Sequence, residues 1–298
     1  MSINKINIKI YYLLLFVFAI EALVFFGKNT INGPIKLQVQ SSTPKISLTT
    51  TKAKNTSYQF PILIYHYVEN VKDKRDTIRK SLNIPPNIFE AQIKTLKENG
   101  YIFITPSEME EIRKGRLAIN GKPIILSFDD GYGDFYTDIF PILKKYHIKA
   151  VAYIVPGFLD KLNYMSWNQV KEVEQSGFVE IGAHTMHHLA LKGLSEDTAQ
   201  NEIVDSKRVL ELSLGRPITS FAYPYGSYSN QTADIAKLSG FQNALTTNSG
   251  VNNNLSNQYL LQRIHPGTRI GKDLILYIEN PGVKIASIAK NQVRLTTK

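Results

Sequence analysis

Two short stretches in the middle of the chain carry the side chains best suited to chemistry. One is Ser127-Phe128-Asp129-Asp130-Gly131-Tyr132, in which two adjacent carboxylates follow a hydrophobic run that stops at a glycine. The other is His184-Thr185-Met186-His187-His188, in which two imidazoles stand four residues apart. One Asp and two His suit a catalytic divalent metal ion with an open coordination position. The second carboxylate can act as a general base, so the pattern predicts metal-assisted hydrolysis.

Each stretch also has a purely structural interpretation when it is taken alone. The Asp pair could cap a helix, and the His pair could be two surface histidines. His184 and His188 would meet on one face of a helix, and a loop could bring them together equally well. We interpret His187 as a neighbour of the site rather than as an alternative ligand. The occurrence of both stretches at the ends of predicted strands favours a shared catalytic site.

The elements that must position these residues alternate between strand and helix. The predicted strands are Phe60–Tyr65, Tyr101–Ile104, Ile124–Phe128, Ala150–Val155, Phe178–Ala183, Ser220–Tyr223, Phe241–Thr246 and Leu260–Ile264. Helices are predicted at Asn87–Asn99, Asp134–Tyr146, Trp167–Gln175, Glu196–Leu212 and Lys272–Ile278. Two more are predicted by one end only: one opens at Ser107-x-x-Glu110, and another ends at Ser239. Asn87 and Glu90 have the spacing of a capping box at the start of the first helix. Repeated βα units predict an α/β fold with a parallel sheet. Seven or eight units favour a closed or nearly closed barrel, with a doubly wound open sheet as the alternative.

A barrel has a consequence for the site, because catalytic residues of such folds lie at the carboxyl ends of the strands. Asp129 and Asp130 fall at that end of one predicted strand, and His184 follows another. The string Tyr223-Pro224-Tyr225-Gly226 occupies the same place after a third strand. Positions that are distant in sequence are therefore expected to converge on one rim.

The motifs resemble those of the NodB-homology polysaccharide deacetylases, carbohydrate esterase family 4. The family's T/S-F-D-D-G motif matches Ser127-Phe128-Asp129-Asp130-Gly131, and its H-S/T-x-x-H motif matches the stretch from His184 to His188. Its R-x-P-Y motif matches only in part, as Ala222-Tyr223-Pro224-Tyr225. The resemblance covers about residues 121–280 and implies a distorted (β/α)7–8 barrel. Tyr65-His66-Tyr67 and the Phe-Ala-Tyr-Pro-Tyr-Gly string are similar to the subgroup that acts on bacterial surface polysaccharides, including poly-N-acetylglucosamine.

The resemblance implies a role for each matching residue. Asp130, His184 and His188 would hold a divalent metal, usually Zn²⁺, although these ligand types also accept Co²⁺, Ni²⁺ or Mn²⁺. Asp129 would be the general base, and the backbone N–H of Tyr225 would help to hold the oxyanion. The implied reaction removes N-acetyl groups from N-acetylglucosamine-containing cell-surface or cell-wall polysaccharide. An O-acetyl esterase on an acetylated polysaccharide and an inactive carbohydrate-binding relative are the alternatives.

Two departures from the family pattern concern proton transfer. Ala222 stands where the family usually has the Arg that orients the base, and we predict that Arg263, at a later strand end, takes its place. The family's late L-x-H motif, which supplies the general acid, is reduced to Arg263-Ile264-His265. His265 is therefore the first candidate for the acid, and His66, which ends the first predicted strand, is the second.

The amino terminus reads as a membrane segment. Residues 10–26 are apolar apart from Glu21, and Lys5 and Lys9 precede them, which favours a cytoplasmic amino terminus. We predict a short tail at 1–9, an anchor at 10–26 with a cleaved signal peptide as the alternative, a flexible polar linker at 27–57, and a catalytic domain at 58–298. Both interpretations place the catalytic domain outside the cytoplasm, either at the cell membrane or secreted.

Composition excludes two further classes of function. The net charge of the 298 residues is +10, but residues 1–57 carry seven Lys against one acid, and the remaining charge forms no basic block. Nucleic acid is therefore not an expected partner. The chain has no cysteine, so neither a disulfide nor a thiolate nucleophile is available.

Overall fold

A computed structural model describes residues 58–71, 73 and 75–281 of the chain. The predicted tail at 1–9, membrane segment at 10–26 and linker at 27–57 lie outside the described residues. Among the helices that are described, none combines the length and the apolar character needed to span a bilayer. The membrane segment therefore stays a prediction.

Parallel strands form the centre of the fold. The strands are β1 Gln59–Phe60, β2 Ile62–Tyr65, β3 Tyr101–Phe103, β4 Lys122–Phe128, β5 Ala150–Ile154, β6 Val179–Ala183, β7 Ser220–Ala222, β8 Asn243–Ser249, β9 Asn252–Asn253 and β10 Leu261–Arg263. Seven of them pair in the order β10-β8-β7-β6-β5-β4-β2, and each of these pairings is parallel. β3 pairs with β4 beside this path, and β1 and β9 form a small antiparallel ribbon.

The two ends of the seven-stranded path meet. Leu63 and Ile264 form a parallel bridge, the Ile64 N–H donates to the Ile264 carbonyl (3.0 Å), and the Ile264 N–H donates to the Ile62 carbonyl (2.8 Å). The sheet therefore closes on itself as a distorted, nearly closed α/β barrel. This confirms the barrel prediction, and the alternative of an open doubly wound sheet is wrong.

Helices pack against the strands of the barrel. They are α1 Thr77–Leu82, α2 Pro86–Glu98, α3 Pro106–Arg113, α4 Phe140–Tyr146, α5 Trp167–Gln175, α6 Glu196–Leu214, α7 Asn230–Leu238 and α8 Gly271–Glu279. The short elements α1 and β9 were not predicted, because six and two residues are too few to show a periodic pattern. The continuous helix predicted from Asp134 is also wrong, since a π-helical turn at Phe135–Ile139 precedes α4. Pro141 in the first turn of α4 has no N–H to donate, which disfavours an unbroken α-helical ladder there.

Two predicted helix starts need correction. The capping box of Asn87 and Glu90 is absent from α2, which is preceded by Pro85 and has no side-chain cap. Pro86 occupies the first position of that helix, where the missing N–H needs no partner.

The helix predicted to open at Ser107 with Glu110 begins one residue earlier. Thr105 is its cap: the Thr105 hydroxyl accepts from the Glu108 N–H (3.3 Å), and the Glu108 carboxylate accepts from the Thr105 N–H (3.0 Å). Ser107 instead donates its hydroxyl to the buried Glu180 carboxylate of β6 (3.0 Å). The sequence offers a capping box in both registers, Thr105 with Glu108 and Ser107 with Glu110, and the contact with β6 accompanies the earlier one.

Alternating strand residues divide the core into two layers. Leu63 faces the large outer cluster beneath the helices, whereas its neighbour Ile62 faces a smaller cluster inside the barrel. Met109 and Ile112 of α3 belong to that inner cluster. Apolar packing therefore fills the amino-terminal end of the barrel, and buried polar side chains gather near the carboxyl ends of the strands.

Candidate active site

The carboxyl ends of several strands carry the side chains singled out above. Asp129 and Asp130 follow β4, and His184 follows β6. His66 follows β2, and His265 lies two residues beyond β10. Because the strands are parallel and the sheet closes, these residues reach one rim of the barrel.

Asp130 and His184 converge with His188, which belongs to the loop that His184 opens. The Oδ1 atom of Asp130 lies 3.3 Å from Nε2 of His184 and 3.0 Å from Nε2 of His188. The Nδ1 atom of His184 lies 2.7 Å from the carbonyl oxygen of Ala222, which can only accept a hydrogen bond. Nδ1 therefore carries the proton, and in the neutral ring Nε2 presents a lone pair toward Asp130.

This arrangement fits a divalent cation. Among the described residues, the buried Oδ1 of Asp130 has no hydrogen-bond partner. It faces two imidazole nitrogens, and one ligand atom from each of the three residues lies within 4.8 Å of the others. Lone pairs at such distances repel one another unless a cation or a proton lies between them. An oxygen and two nitrogens form the donor set expected for a catalytic zinc-type site.

The segment from His184 to His188 is a loop and not a helix. Thr185 (φ 59°) and His188 (φ 61°) have left-handed backbone conformations, and the segment is not helical. Asp130 (φ 77°) and Tyr225 (φ 58°) share this conformation. A positive φ is unfavourable for residues with a Cβ, and such strain is concentrated at functional sites. The two imidazoles therefore converge through backbone turns that the surrounding structure holds in place.

His187 is held away from the three converging residues. Its Nδ1 lies 2.8 Å from Oε1 of the buried Glu202 in α6, and its backbone N–H donates to Oε2 of the same carboxylate (2.8 Å). The His187 side chain belongs to this pair and is absent from the Asp130, His184 and His188 group. This placement is consistent with the interpretation of His187 as a neighbour.

Asp129 forms a buried bidentate pair with Arg263. Its Oδ1 accepts from Nη1 (2.7 Å) and its Oδ2 from Nη2 (2.8 Å). The guanidinium is fully buried and also donates from Nε to the carbonyl of Thr246 (2.8 Å) and from Nη1 to Oγ of Ser127 (3.3 Å). Burial alone raises the pKa of Asp129, but the positive charge and hydrogen bonds of Arg263, with His184 nearby, outweigh it and lower that pKa. Asp129 is thus ionised.

The ionised Asp129 lies beside Asp130, His184 and His188, which are called the metal-type group below. Its Oδ2 is 3.9 Å from Nε2 of His184. Burial by itself lowers the pKa of His184, but the carboxylates of Asp129 and Asp130 outweigh burial and raise it. Burial likewise raises the pKa of Asp130, and the two imidazoles hold it well below its ordinary value. The site therefore concentrates negative charge around one small space, which favours a cation.

Comparisons with known proteins agree with this chemistry. A sequence profile of the polysaccharide deacetylases matches residues 118–244. A Bacillus subtilis protein that carries a polysaccharide deacetylase name, YxkH, is 33% identical over 224 residues, which cover 74% of this chain and 77% of the relative. The chain belongs to the polysaccharide deacetylase family. The family resemblance predicted from the motifs is confirmed, and the chain is a hydrolase of this class.

The chain is also similar to a curated relative and to a solved structure that carry deacetylase names. A poly-β-1,6-N-acetyl-D-glucosamine N-deacetylase of Staphylococcus aureus is 28% identical over 199 residues, covering 62% of this chain and 68% of the relative. The solved structure of the Streptococcus pyogenes deacetylase PplD in complex with acetate is 30% identical, with a TM-score of 0.70, and covers 76% of this chain and all of that one (100%). Both carboxylates and both converging imidazoles lie inside the profile match at 118–244, whereas Arg263, His265 and His66 lie outside it.

The placement of Arg263 explains how the deacetylase accommodates Ala222. Ala222 is fully buried and packs in the inner cluster beside Tyr153 of β5. The guanidinium carbon of Arg263 lies 6.0 Å from the centre of the Tyr153 ring. The guanidinium thus reaches Asp129 from β10 instead of from β7, and it holds both carboxylate oxygens of Asp129.

The two candidate acids share one small cavity. His66 is half-buried and His265 is exposed, and both line a space that also borders Asn83 and Gly267. Loss of contact with water is the main cause that lowers the pKa of each ring. Asp129 counteracts this effect at both histidines. Both rings therefore lie within the electrostatic reach of Asp129.

Tyr225 contributes a contact that the sequence did not indicate. The family resemblance implies an oxyanion role for its backbone N–H, and its hydroxyl lies 3.1 Å from Nδ1 of His188, with the two rings 4.6 Å apart. A partner at Nδ1 orients the imidazole so that Nε2 faces Asp130. The two residues are 37 positions apart on different loops, so no local pattern reveals the pair.

A row of aromatic rings also went unpredicted. Tyr67 stacks on Tyr132 with 4.0 Å between ring centres, and Tyr132 stacks on Tyr164 at 5.0 Å. Phe158 continues the row, 5.0 Å from Tyr164 and 6.2 Å from His188. The row forms a wall that leads from the loop after β2 to the metal-type group.

Proposed function

We propose that this deacetylase is a divalent-metal-dependent enzyme that removes N-acetyl groups from N-acetylglucosamine-containing cell-surface polysaccharide. The observation that carries the proposal is the convergence of Asp130, His184 and His188 beside the ionised Asp129. Relatives named as poly-β-1,6-N-acetyl-D-glucosamine N-deacetylases support the substrate class. The acetate in the PplD structure is the product that such a reaction releases.

The first chemical step needs an activated carbonyl and an activated water. Asp130, His184 and His188 would hold the cation, which when bound polarises the acetyl carbonyl and lowers the pKa of water. Asp129 accepts the proton of the attacking water. Arg263 holds both oxygens of Asp129 and keeps the carboxylate ionised. The negative charge develops on the acetyl carbonyl oxygen, and the backbone N–H of Tyr225 donates a hydrogen bond to it.

The second step breaks the C–N bond, and the departing amine needs a proton. We assign this proton to His265, with His66 as the alternative donor. His265 is exposed at the rim and is therefore accessible to the sugar amine, whereas His66 is half-buried. An acid acts in its protonated form, so the rate of deacetylation is expected to fall as the pH rises through the pKa of this histidine.

Separate alanine variants distinguish the two histidines. We expect His265→Ala to lower kcat on N-acetylglucosamine oligomers by about 10²-fold and to remove the alkaline limb of the pH profile, because general acids contribute this much. Metal content, measured by elemental analysis, should not change, since His265 lies outside the converging group. His66→Ala is the control and should lower kcat by less than about tenfold. The reverse ranking assigns the acid to His66.

Acetate release tests the function as a whole. The full-length protein, loaded with Zn²⁺, is expected to release acetate from N-acetylglucosamine oligomers, and removal of the metal with a chelator should lower the rate at least about 100-fold. Readdition of Zn²⁺ should restore it. Acetate from an O-acetylated polysaccharide but none from the N-acetylated oligomers would contradict the proposal and indicate the esterase alternative.

We also propose that the reaction takes place outside the cytoplasm, with residues 10–26 as a membrane anchor. The apolar run and the preceding Lys5 and Lys9 support this placement. Separation of cell membranes from soluble proteins, followed by detection of the full-length chain, tests it. Recovery of the uncleaved chain in the cytoplasmic fraction alone would contradict it.

A further inference from the structure

Helix α2 holds a buried amide between the segments that carry the two candidate acids. Gln92 is fully buried (0% exposed), on a face of α2 that otherwise presents Phe89, Ile93 and Leu96. A primary amide has two N–H donors and a carbonyl acceptor, and its burial is unfavourable unless these are paired. The partners of Gln92 therefore show which parts of the fold this side chain connects.

The partners lie on two segments that are far apart in sequence. Nε2 of Gln92 donates to the carbonyl oxygens of Gly267 (2.7 Å) and Arg269 (2.9 Å), which accounts for both N–H groups. Oε1 accepts from the hydroxyl of Tyr65 (3.1 Å). Tyr65 immediately precedes His66, and Gly267 follows His265 by two residues. One side chain thus connects the end of β2 with the loop after β10.

Tyr65 fixes the direction of this amide. Its ring is buried, stacks on Phe128 with 5.0 Å between centres, and meets Phe89 edge-on at 5.3 Å. Burial raises the pKa of its hydroxyl, which therefore stays protonated and donates a hydrogen bond to Oε1 of Gln92. The carbonyl of the amide must face Tyr65, and its NH₂ group must face the loop that contains His265.

Barrel closure alone does not place His265. The backbone hydrogen bonds that close the barrel end at Ile264, and the His265 side chain is exposed. Beyond that point the loop is attached to α2: Gln92 binds two of its carbonyls, and Oγ1 of Thr95 accepts from the N–H of Gly271 (3.1 Å). The position of the imidazole relative to Asp129 therefore depends on α2.

We propose that Gln92 is a positioning residue that holds His265 where it can deliver a proton to the departing amine. The inference rests on the proposed function, because it concerns the acid of that reaction. Gln92 is buried beneath the loop and acts through the carbonyls of Gly267 and Arg269, without touching the substrate. A substitution that removes its hydrogen bonds should affect proton delivery and leave the metal group and Asp129 intact.

Two substrates separate proton delivery from the rest of the reaction. N-acetylglucosamine oligomers release an amine that needs a proton, whereas 4-nitrophenyl acetate releases a phenolate that leaves without one. In the full-length, Zn²⁺-loaded protein, Gln92→Met is expected to lower kcat on the oligomers by about 10- to 100-fold and to change KM by less than about twofold. Turnover of the aryl ester should change by less than about threefold, and the alkaline limb of the oligomer pH profile should move.

Matched variants exclude a general loss of stability. Gln92→Glu keeps the length of the side chain but turns carboxylate oxygens toward two carbonyls, so it should reproduce the selective loss on the oligomers. Thr232→Val removes a buried hydrogen-bonding side chain of α7, remote from this loop, and should lower the melting temperature without changing kcat on either substrate.

Three results would overturn the proposal. If Gln92→Met and Gln92→Glu keep wild-type turnover of the oligomers, Gln92 has no positioning role. If kcat of both variants falls equally on the oligomers and on the aryl ester, Gln92 supports the whole site and not the acid alone. If the wild-type protein releases no acetate from the oligomers while it hydrolyses the aryl ester, the proposed function itself fails, and the role of Gln92 fails with it.

Discussion

Asp129→Asn is expected to lower acetate release from N-acetylglucosamine oligomers by about 10³-fold, because an amide cannot accept the proton of the attacking water. The substitution keeps the size of the side chain. One oxygen remains to accept from Arg263, so the largest change is the loss of the negative charge and of the base. The rate of acetate release, measured with saturating Zn²⁺, checks this prediction.

Metal content is the control for this variant. Asp129 lies 3.9 Å from His184 but outside the converging group of Asp130, His184 and His188, so the variant should bind Zn²⁺ at the wild-type stoichiometry. Asp130→Asn is the matched comparison, since it removes the charge of a predicted ligand one residue away and should lose metal and activity together. A variant Asp129→Asn that binds no metal would show that Asp129 is a ligand and that its assignment as the base is wrong.

Arg263→Met is expected to lower both stability and activity. The substitution leaves the carboxylate of Asp129 buried without its partner, and breaking a buried ion pair in this way costs about 3 to 5 kcal/mol of unfolding free energy. It also removes the influence that lowers the pKa of Asp129, so burial should raise that pKa. A larger fraction of the base is then protonated at a given pH and its carboxylate is no longer held in place, so kcat should fall about 10²-fold at pH 7.

The pH dependence of the variant follows from the sign of this change. In the wild-type protein the lowered pKa of Asp129 favours folding at neutral pH, and this contribution is lost as the pH falls through that pKa. In Arg263→Met the acidic limb of the activity profile should move to higher pH, with partial recovery of kcat as Asp129 ionises. Chemical denaturation and pH–rate profiles measure the two effects.

Two further variants test whether the guanidinium itself matters. The double variant Arg263→Met with Ala222→Arg moves the guanidinium to the position that the family usually uses. If the role of Arg263 is to orient Asp129, kcat of the double variant should be at least about tenfold higher than that of Arg263→Met. Arg208→Met removes a surface arginine paired with Asp205 and should change stability by less than about 1 kcal/mol. Full activity of Arg263→Met would contradict the assignment of Arg263 as the residue that orients Asp129.

Several features of the site could be predicted because they depend on residue type and local spacing. The Asp-Asp-Gly string at the end of a hydrophobic run indicates a strand end with two carboxylates, and this is where Asp129 and Asp130 lie. The βα alternation predicts parallel strands, and parallel strands bring their carboxyl ends to one rim. The proximity of His184 and His188 to Asp130 follows from these two facts together.

Errors arose where a short pattern fits more than one register. Ser107-x-x-Glu110 and Thr105 with Glu108 are both capping boxes by composition, and the structure uses the second. The pair formed by Asn87 and Glu90 has the right spacing, but Pro85 and Pro86 start the helix earlier. Local hydrogen-bonding patterns differ by about 1 kcal/mol, so tertiary contacts decide between them.

The sequence by itself determined which residue types meet at the site and that a barrel carries them: two carboxylates, the imidazoles and the strands that end beside them. Apart from the predicted role of Arg263, tertiary structure alone decided how these side chains are held. Gln92 reaches Gly267 across 175 positions, Tyr225 reaches His188 across 37, and the Ala222 carbonyl fixes the tautomer of His184 across 38. Sequence patterns report periods of two to four residues, whereas these contacts exist only after the barrel has closed and has removed the polar groups from water.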